Sequence, residues 1–133
     1  MTFSQLLSNI NPFWFGTAIA ITVALGGLWY SVIFPKTWMR VFKVEMPEKI
    51  SIGSMVRTFG LQFVANFALG LLFFILVQFS VWFAVITLCV FCGWQKATLN
   101  FQFPKFKDFM MAATIQAGYT FIAGIVFILF AMI

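Results

Sequence analysis

Long apolar stretches alternate with short charged ones along this chain, and the alternation predicts its elements. Residues 1–35 carry no charged side chain, and Lys36, Arg40, Lys43, Glu45, Glu48, Lys49 and Arg57 then fall within 36–57. Residues 58–95 are again uncharged, Lys96, Lys105, Lys107 and Asp108 fall within 96–108, and 109–133 carry no charge. A membrane-spanning helix needs about 20 mostly apolar residues. The first and last blocks each supply one, near 13–34 and 109–132. The middle block is too long for one helix and long enough for two. Its only polar break is Gln78-Phe79-Ser80, so helices are expected near 58–77 and 81–99. With no long repeat and no linker, residues 1–133 read as a single transmembrane domain, an all-α four-helix bundle.

Topology gives an independent check. Four spans put both charged loops on one side, and no Lys or Arg falls on the other. That asymmetry is the positive-inside pattern, so the loops are expected in the cytoplasm and both termini outside it. The interfacial loop, 35–57, mixes apolar and charged positions. Trp38, Phe42 and the neighbouring basic residues suit the headgroup zone, as a tether or as an anionic-lipid site. The first apolar block has no Lys or Arg before it and is too long for the h-region of a signal peptide. No lipidation motif is seen.

Composition sharpens this picture. Hydrophobic residues make up 63% of the 133 and charged residues 8%, against roughly 45–50% and 25% in soluble domains. Eleven charged side chains cannot clothe a water-facing surface. Twenty Phe and five Trp exclude low-complexity disorder. Orientation accounts for the net charge of +5, so no nucleic-acid partner is expected.

Candidate chemistry is sparse. The chain has no His, and its two cysteines form Cys89-x-x-Cys92 inside the third span. Zinc needs about four ligands, and a redox pair normally sits in a soluble fold near a helix N-terminus, so both read as small packing residues. No carboxylate lies within a span. Small multidrug antiporters also use four short helices but place a Glu in the first, where this chain has none. Neither a base nor an activated nucleophile is legible, so no enzyme, metal or cofactor is expected.

Uncharged polar residues, in contrast, are ordered in depth. Tyr30 and Ser31, Gln62 and Asn66, Gln95, Lys96 and Thr98, and Thr114, Gln116, Tyr119 and Thr120 all fall in the loop-side half of the spans. The opposite half is almost purely apolar. Gln62, Asn66, Lys96, Gln116 and Tyr119 are therefore a candidate polar cluster, serving as interhelical hydrogen bonds or as a pocket open to the cytoplasm. Lys96 either snorkels to the headgroups or points inward. Small residues line up too. Gly16, Ala20, Ala24 and Gly27 form a candidate helix-packing stripe, and Ala113 with Ala117 and Thr120 with Gly124 form pairs in the fourth span. The stripe is expected to pack within the bundle, with self-association as the alternative.

Gly26 to Met39 reads Gly-Gly-Leu-Trp-Tyr-Ser-Val-Ile-Phe-Pro-Lys-Thr-Trp-Met. It resembles the Gly-x-Leu-Trp-Tyr-Ser…Phe-x-Lys-x-Trp-Met pattern of a bacterial membrane family called domain of unknown function 1761. Arg57–Val64 and Gln116–Tyr119 agree in character, although that family has Asn where Gln116 stands and Thr-Thr near Lys96-Ala97. The resemblance implies a small four-helix protein of the bacterial inner membrane and no known activity. The expected function is a non-enzymatic structural or interaction subunit. Its partners would be membrane lipids and a second copy or another membrane protein. The alternative is a small-solute transporter or channel with a site in the cytoplasmic half.

Overall fold

The computed structural model describes residues 2–43, 52–103 and 105–133. Glu45, Glu48 and Lys49, and with them much of the expected interfacial loop, lie outside the described residues. The described chain is helical, with no strand. A short α1 (Phe3–Ser8) leads into α2 (Pro12–Leu28), which continues as a π-helical turn over Trp29–Ile33. Then come α3 (Pro35–Phe42), α4 (Ile52–Phe79), α5 (Val81–Gln102) and α6 (Phe106–Ala131). Four stretches are long and apolar enough to cross a membrane: Pro12–Ile33, Gly60–Phe79, Val81–Gln102 and Phe106–Ala131.

Local chemistry sets the boundaries. Asn11 caps α2, its side-chain oxygen accepting from the Phe13 and Trp14 amides at 3.0 and 3.4 Å, with Pro12 in the first turn. Pro35 ends the first span, because the residue before a proline leaves the helical region; Phe34 sits at φ −121°, ψ 26°. The α4–α5 break is Ser80 alone, extended at φ −172° and capping α5 through the Trp82 amide at 3.2 Å. Two helices exceed their hydrophobic stretches. α4 begins at Ile52, ahead of the expected 58, and α5 runs to Gln102. Hydropathy marks the apolar span, whereas a helix continues until a cap or proline stops it. α3 lies where the sequence predicts only a short interfacial segment, and α1 was not expected.

Antiparallel packing puts Arg40, Lys43, Lys105 and Asp108 together at one end of the bundle, the loop end, and α1 with the C-terminal end of α6 at the other, the terminal end. α6 is the central helix. It packs on α2, α4 and α5, while α2 and α5 sit at opposite corners. Half of its apolar window is buried, against 17–22% in the other three. The terminal half is closed by Ala18, Ile19, Phe73, Phe74, Ala84, Leu88, Phe127 and Ile128. Phe73 and Phe127 are fully buried. Gly70 is required here, since a Cβ on it would lie 2.7 Å from the Phe127 ring. A second, smaller core of Val41, Leu99, Ala112 and Ala113 pins α3 against α5 and α6 at the loop end. At the terminal end, Gln78 Nε2 donates to the Leu6 carbonyl at 2.8 Å and holds α1 on α4.

The small-residue stripe corrects one expectation. Gly16, Ala20, Ala24 and Gly27 lie on the exposed face of α2, and a Cβ on Gly16 or Gly27 would meet nothing within 4 Å. The face buried in the bundle is Ala18, Ile19, Thr22 and Gly26. Both faces of α2 carry small residues at helical spacing, and contacts with α6 select the second. In α6 itself, Ala113, Ala117, Thr120 and Gly124 are all buried.

Candidate binding cleft

Beneath the terminal core, side chains from α4, α5, α6 and the π-helical turn surround a cleft of about 510 Å³. Its polar groups come from Gln62 and Asn66 on α4, Gln95 on α5, Gln116, Tyr119 and Thr120 on α6, and Tyr30. The i, i+4 spacing of Gln62 and Asn66 puts both on one face of α4, one turn apart. The Asn66 carboxamide donates back to the Gln62 carbonyl at 3.0 Å, which fixes its rotamer.

Tyr119 is the hub of the cluster. Its hydroxyl lies 3.2 Å from Asn66 Oδ1 and 3.1 Å from the Thr22 carbonyl, and it accepts from Gln62 Nε2 at 3.4 Å. A phenol has one proton, so it donates to one of the two acceptors at a time. α2, α4 and α6 are thereby tied together at a single atom. Room for it comes from Gly26, where a Cβ would sit 3.1 Å from the hydroxyl oxygen.

The π-helical turn positions the aromatic side of the site. The Phe34 amide bonds the Trp29 carbonyl, and the Ser31 hydroxyl bonds the Gly27 carbonyl. Such a turn holds one residue more than an α-turn and so re-aims the side chains within it. Trp29 Nε1 donates to the Ile115 carbonyl at 2.9 Å, and its indole lies over Gly118. Tyr30 lies 5.6 Å, ring to ring, from Tyr119 and 6.2 Å from Trp38. Nothing in the sequence marks the π-turn itself, and the Thr22 contribution is a backbone oxygen, which has no sequence signal.

Of the expected cluster, the structure joins Gln62, Asn66 and Tyr119 by hydrogen bonds and sets Gln116 on the same cleft. It does not place Lys96 there. Lys96 is exposed and lies on a separate groove between α5 and α6, with Cys92, Met110 and Thr114. One residue along a helix is about 100° of rotation, and Gln95 takes the inward position instead. Gln95 Oε1 is buried with no hydrogen-bond partner. Cys92 is half-buried, its thiol on the Ala117 carbonyl at 3.7 Å, and Cys89 faces outward. Among the described residues, no group of His, Cys, Asp and Glu could hold a metal ion.

The mouth of the cleft is on the side of the bundle. Its rim residues Ala65, Ala68, Leu72 and Phe91 are exposed and lie within the apolar spans. Its lining reaches Leu72 and Phe91 towards the terminal end, and the bundle interior of that half is filled by the core around Phe73, Leu88 and Phe127. The arrangement can hold an uncharged, hydrogen-bonding group arriving from the side, and it offers no acid–base pair. No family model, no curated protein and no solved structure matches this chain.

Proposed function

We propose that this chain is a non-enzymatic, multi-pass membrane protein that acts as an interaction subunit, holding a partner laterally in the α4/α5 cleft. The observation that supports it is the cleft itself: convergent carboxamides and phenols with an opening through the side of the spans. Polar side chains inside a span are costly to leave facing lipid, so a polar-lined cleft open through the side of the spans points to a binding role. In this reading the charged loops face the cytoplasm and the termini lie outside, in a bacterial inner membrane. The likeness of Gly26–Met39 to domain of unknown function 1761 belongs to the same proposal and adds no activity.

The exposed stripe Gly16, Ala20, Ala24 and Gly27 is available for close approach of a second copy or of another membrane protein. A transporter reading would need a polar route past Phe73 and Phe127, and the closed terminal half argues against one. The test is photocrosslinking in native membranes from a benzophenone amino acid at Ala68, on the rim, against one at Phe83, on the outward face of α5. A discrete adduct from position 68 alone is expected. Identical labelling from both positions, or none from 68, would sink the proposal.

A further inference from the structure

We infer that the hollow at the loop end is a headgroup site for an anionic phospholipid, with the lipid phosphate held among Arg40, Lys43 and Lys105. This is a second site, and it does not rest on the binding role given to the α4/α5 cleft.

Three cations meet there from two separate parts of the chain. Arg40 and Lys43 come from the end of α3, and Lys105 directly precedes α6; with Asp108 they line a hollow of about 460 Å³. Small-molecule sites run to roughly 300–1,000 Å³. These cations do not ride on a free loop. Val41 is buried with Leu99, Ala112 and Ala113, which fixes α3 on α5 and α6. The Phe42 and Phe103 rings meet edge to face at 5.5 Å and join the two parts of the lining. Arg40 Nη2 donates to Met111 Sδ at 3.3 Å, a neutral acceptor that orients the guanidinium and leaves its charge in place. The remaining N–H groups of a guanidinium so held can grip a phosphate through two parallel bonds. Lys43 holds a left-handed backbone, φ 51°, ψ 40°, at the end of α3. Glycine is the usual residue at such a helix end, and glycine there would take a cation from the hollow.

Charge selects an anionic head over a zwitterionic one. Three cations and one carboxylate leave the lining with two positive charges. The carboxylate, Asp108, belongs to the first turn of α6, where the helix dipole favours it. A phosphodiester with an uncharged substituent meets that excess directly, whereas a choline head brings its own cation to it.

Depth selects a lipid over a dissolved phosphate. The hollow lies where α5 leaves its span at Gln102 and α6 enters the next at Phe106. Phe101 and Phe106, on either side of that connection, are 90% and 75% exposed, and bare rings of that size belong in hydrocarbon. The cations therefore stand at headgroup level, where lipid phosphates are already gathered and their chains already lie in the bilayer. Arg40, Lys43 and Lys105 are themselves exposed, so they hold an untethered anion only weakly against salt.

The test uses the full chain in a non-ionic detergent, with dioleoylphosphatidylglycerol and dioleoylphosphatidylcholine supplied in equal amounts and bound lipid counted by native mass spectrometry. Retention of the anionic lipid should exceed that of the zwitterionic one by about tenfold or more. Arg40→Gln with Lys105→Gln should cut the preference to less than about threefold. Lys36→Gln with Lys107→Gln removes as many charges from exposed positions outside the hollow, and should keep the preference within about twofold of wild type. Inorganic phosphate and deacylated glycerophosphoglycerol, each in about hundredfold excess, should not displace the lipid. Equal retention of the two lipids by the wild-type protein would overturn the inference, and that comparison holds even where a variant does not fold. An undiminished preference in the Arg40 and Lys105 variant would overturn it too. Equal losses in the two double variants would replace the site with diffuse surface charge, and displacement by either soluble phosphate would replace the lipid with a dissolved anion; both outcomes overturn the inference.

Discussion

Removing one oxygen, by Tyr119→Phe, tests whether the polar cluster holds the bundle together. The hydroxyl gives one hydrogen bond, to the Thr22 carbonyl or Asn66 Oδ1, and accepts one from Gln62. Interhelical hydrogen bonds in membranes contribute about 0.6 kcal/mol on average and reach about 1.7. Losing a donated and an accepted bond therefore costs about 1 kcal/mol. Asn66 is almost wholly buried, with 2% of its surface exposed, so its orphaned oxygen raises the loss towards about 2 kcal/mol. The ring remains and still packs on Tyr30 and Gly26, so no cavity adds to the cost. Unfolding in mixed micelles should show a destabilisation of about 1–2 kcal/mol. A double-mutant cycle with Asn66→Leu should return a coupling of about 0.5 kcal/mol or more, because the two groups share a bond. A Tyr119→Phe protein within about 0.3 kcal/mol of wild type, with no coupling to Asn66, would refute the role given to the cluster.

Three other outcomes are expected. Gly26→Ala should destabilise the bundle by about 1–3 kcal/mol by pushing on the Tyr119 hydroxyl, whereas Gly27→Ala, which meets nothing within 4 Å, should be near neutral; equal thermal melts for the two would contradict the packing of α2. Ala18→Leu should cost about 1–3 kcal/mol through overpacking at a fully buried site. Ala20→Leu, on the exposed face, should leave monomer stability unchanged and alter only the oligomer fraction in crosslinking assays. An impermeant thiol reagent on intact cells should label Ser4→Cys and spare Lys107→Cys, in a background with Cys89 and Cys92 replaced by Ala; the opposite pattern would invert the proposed orientation.

The number and limits of the spans were legible because charge is a coarse signal. Lys36, Arg57 and Lys105 flank stretches whose lengths match one bilayer crossing or two, and a shift of a residue or two changes nothing; Lys96 lies within the span Val81–Gln102. The depth of Gln62, Asn66, Gln116 and Tyr119 was legible for a related reason, since α4 and α6 both start from the loop end. Rotation about each helix axis was not legible. Sequence alone does not decide between Gln95 and Lys96, because neither α5 nor its neighbours show a strong apolar face in a chain that is apolar all round. The same ambiguity put the stripe of Gly16 and Ala20 on the wrong side of α2. There the buried ridge of Ala18, Thr22 and Gly26 is just as small. The Thr22 carbonyl and the π-turn at Trp29 belong to the backbone and leave no mark in side-chain pattern.

The central claim is that the α4/α5 cleft binds a molecule from the membrane. It is tested most directly by proton–proton contacts from the Gln62 and Gln116 carboxamides, by NMR of the labelled protein in lipid nanodiscs. Contacts to lipid protons are expected, and none to bulk water passing the Phe73–Phe127 core. Contacts to exchanging water alone, continuing past that core to the terminal end, would contradict it and make the cleft the vestibule of a transport path.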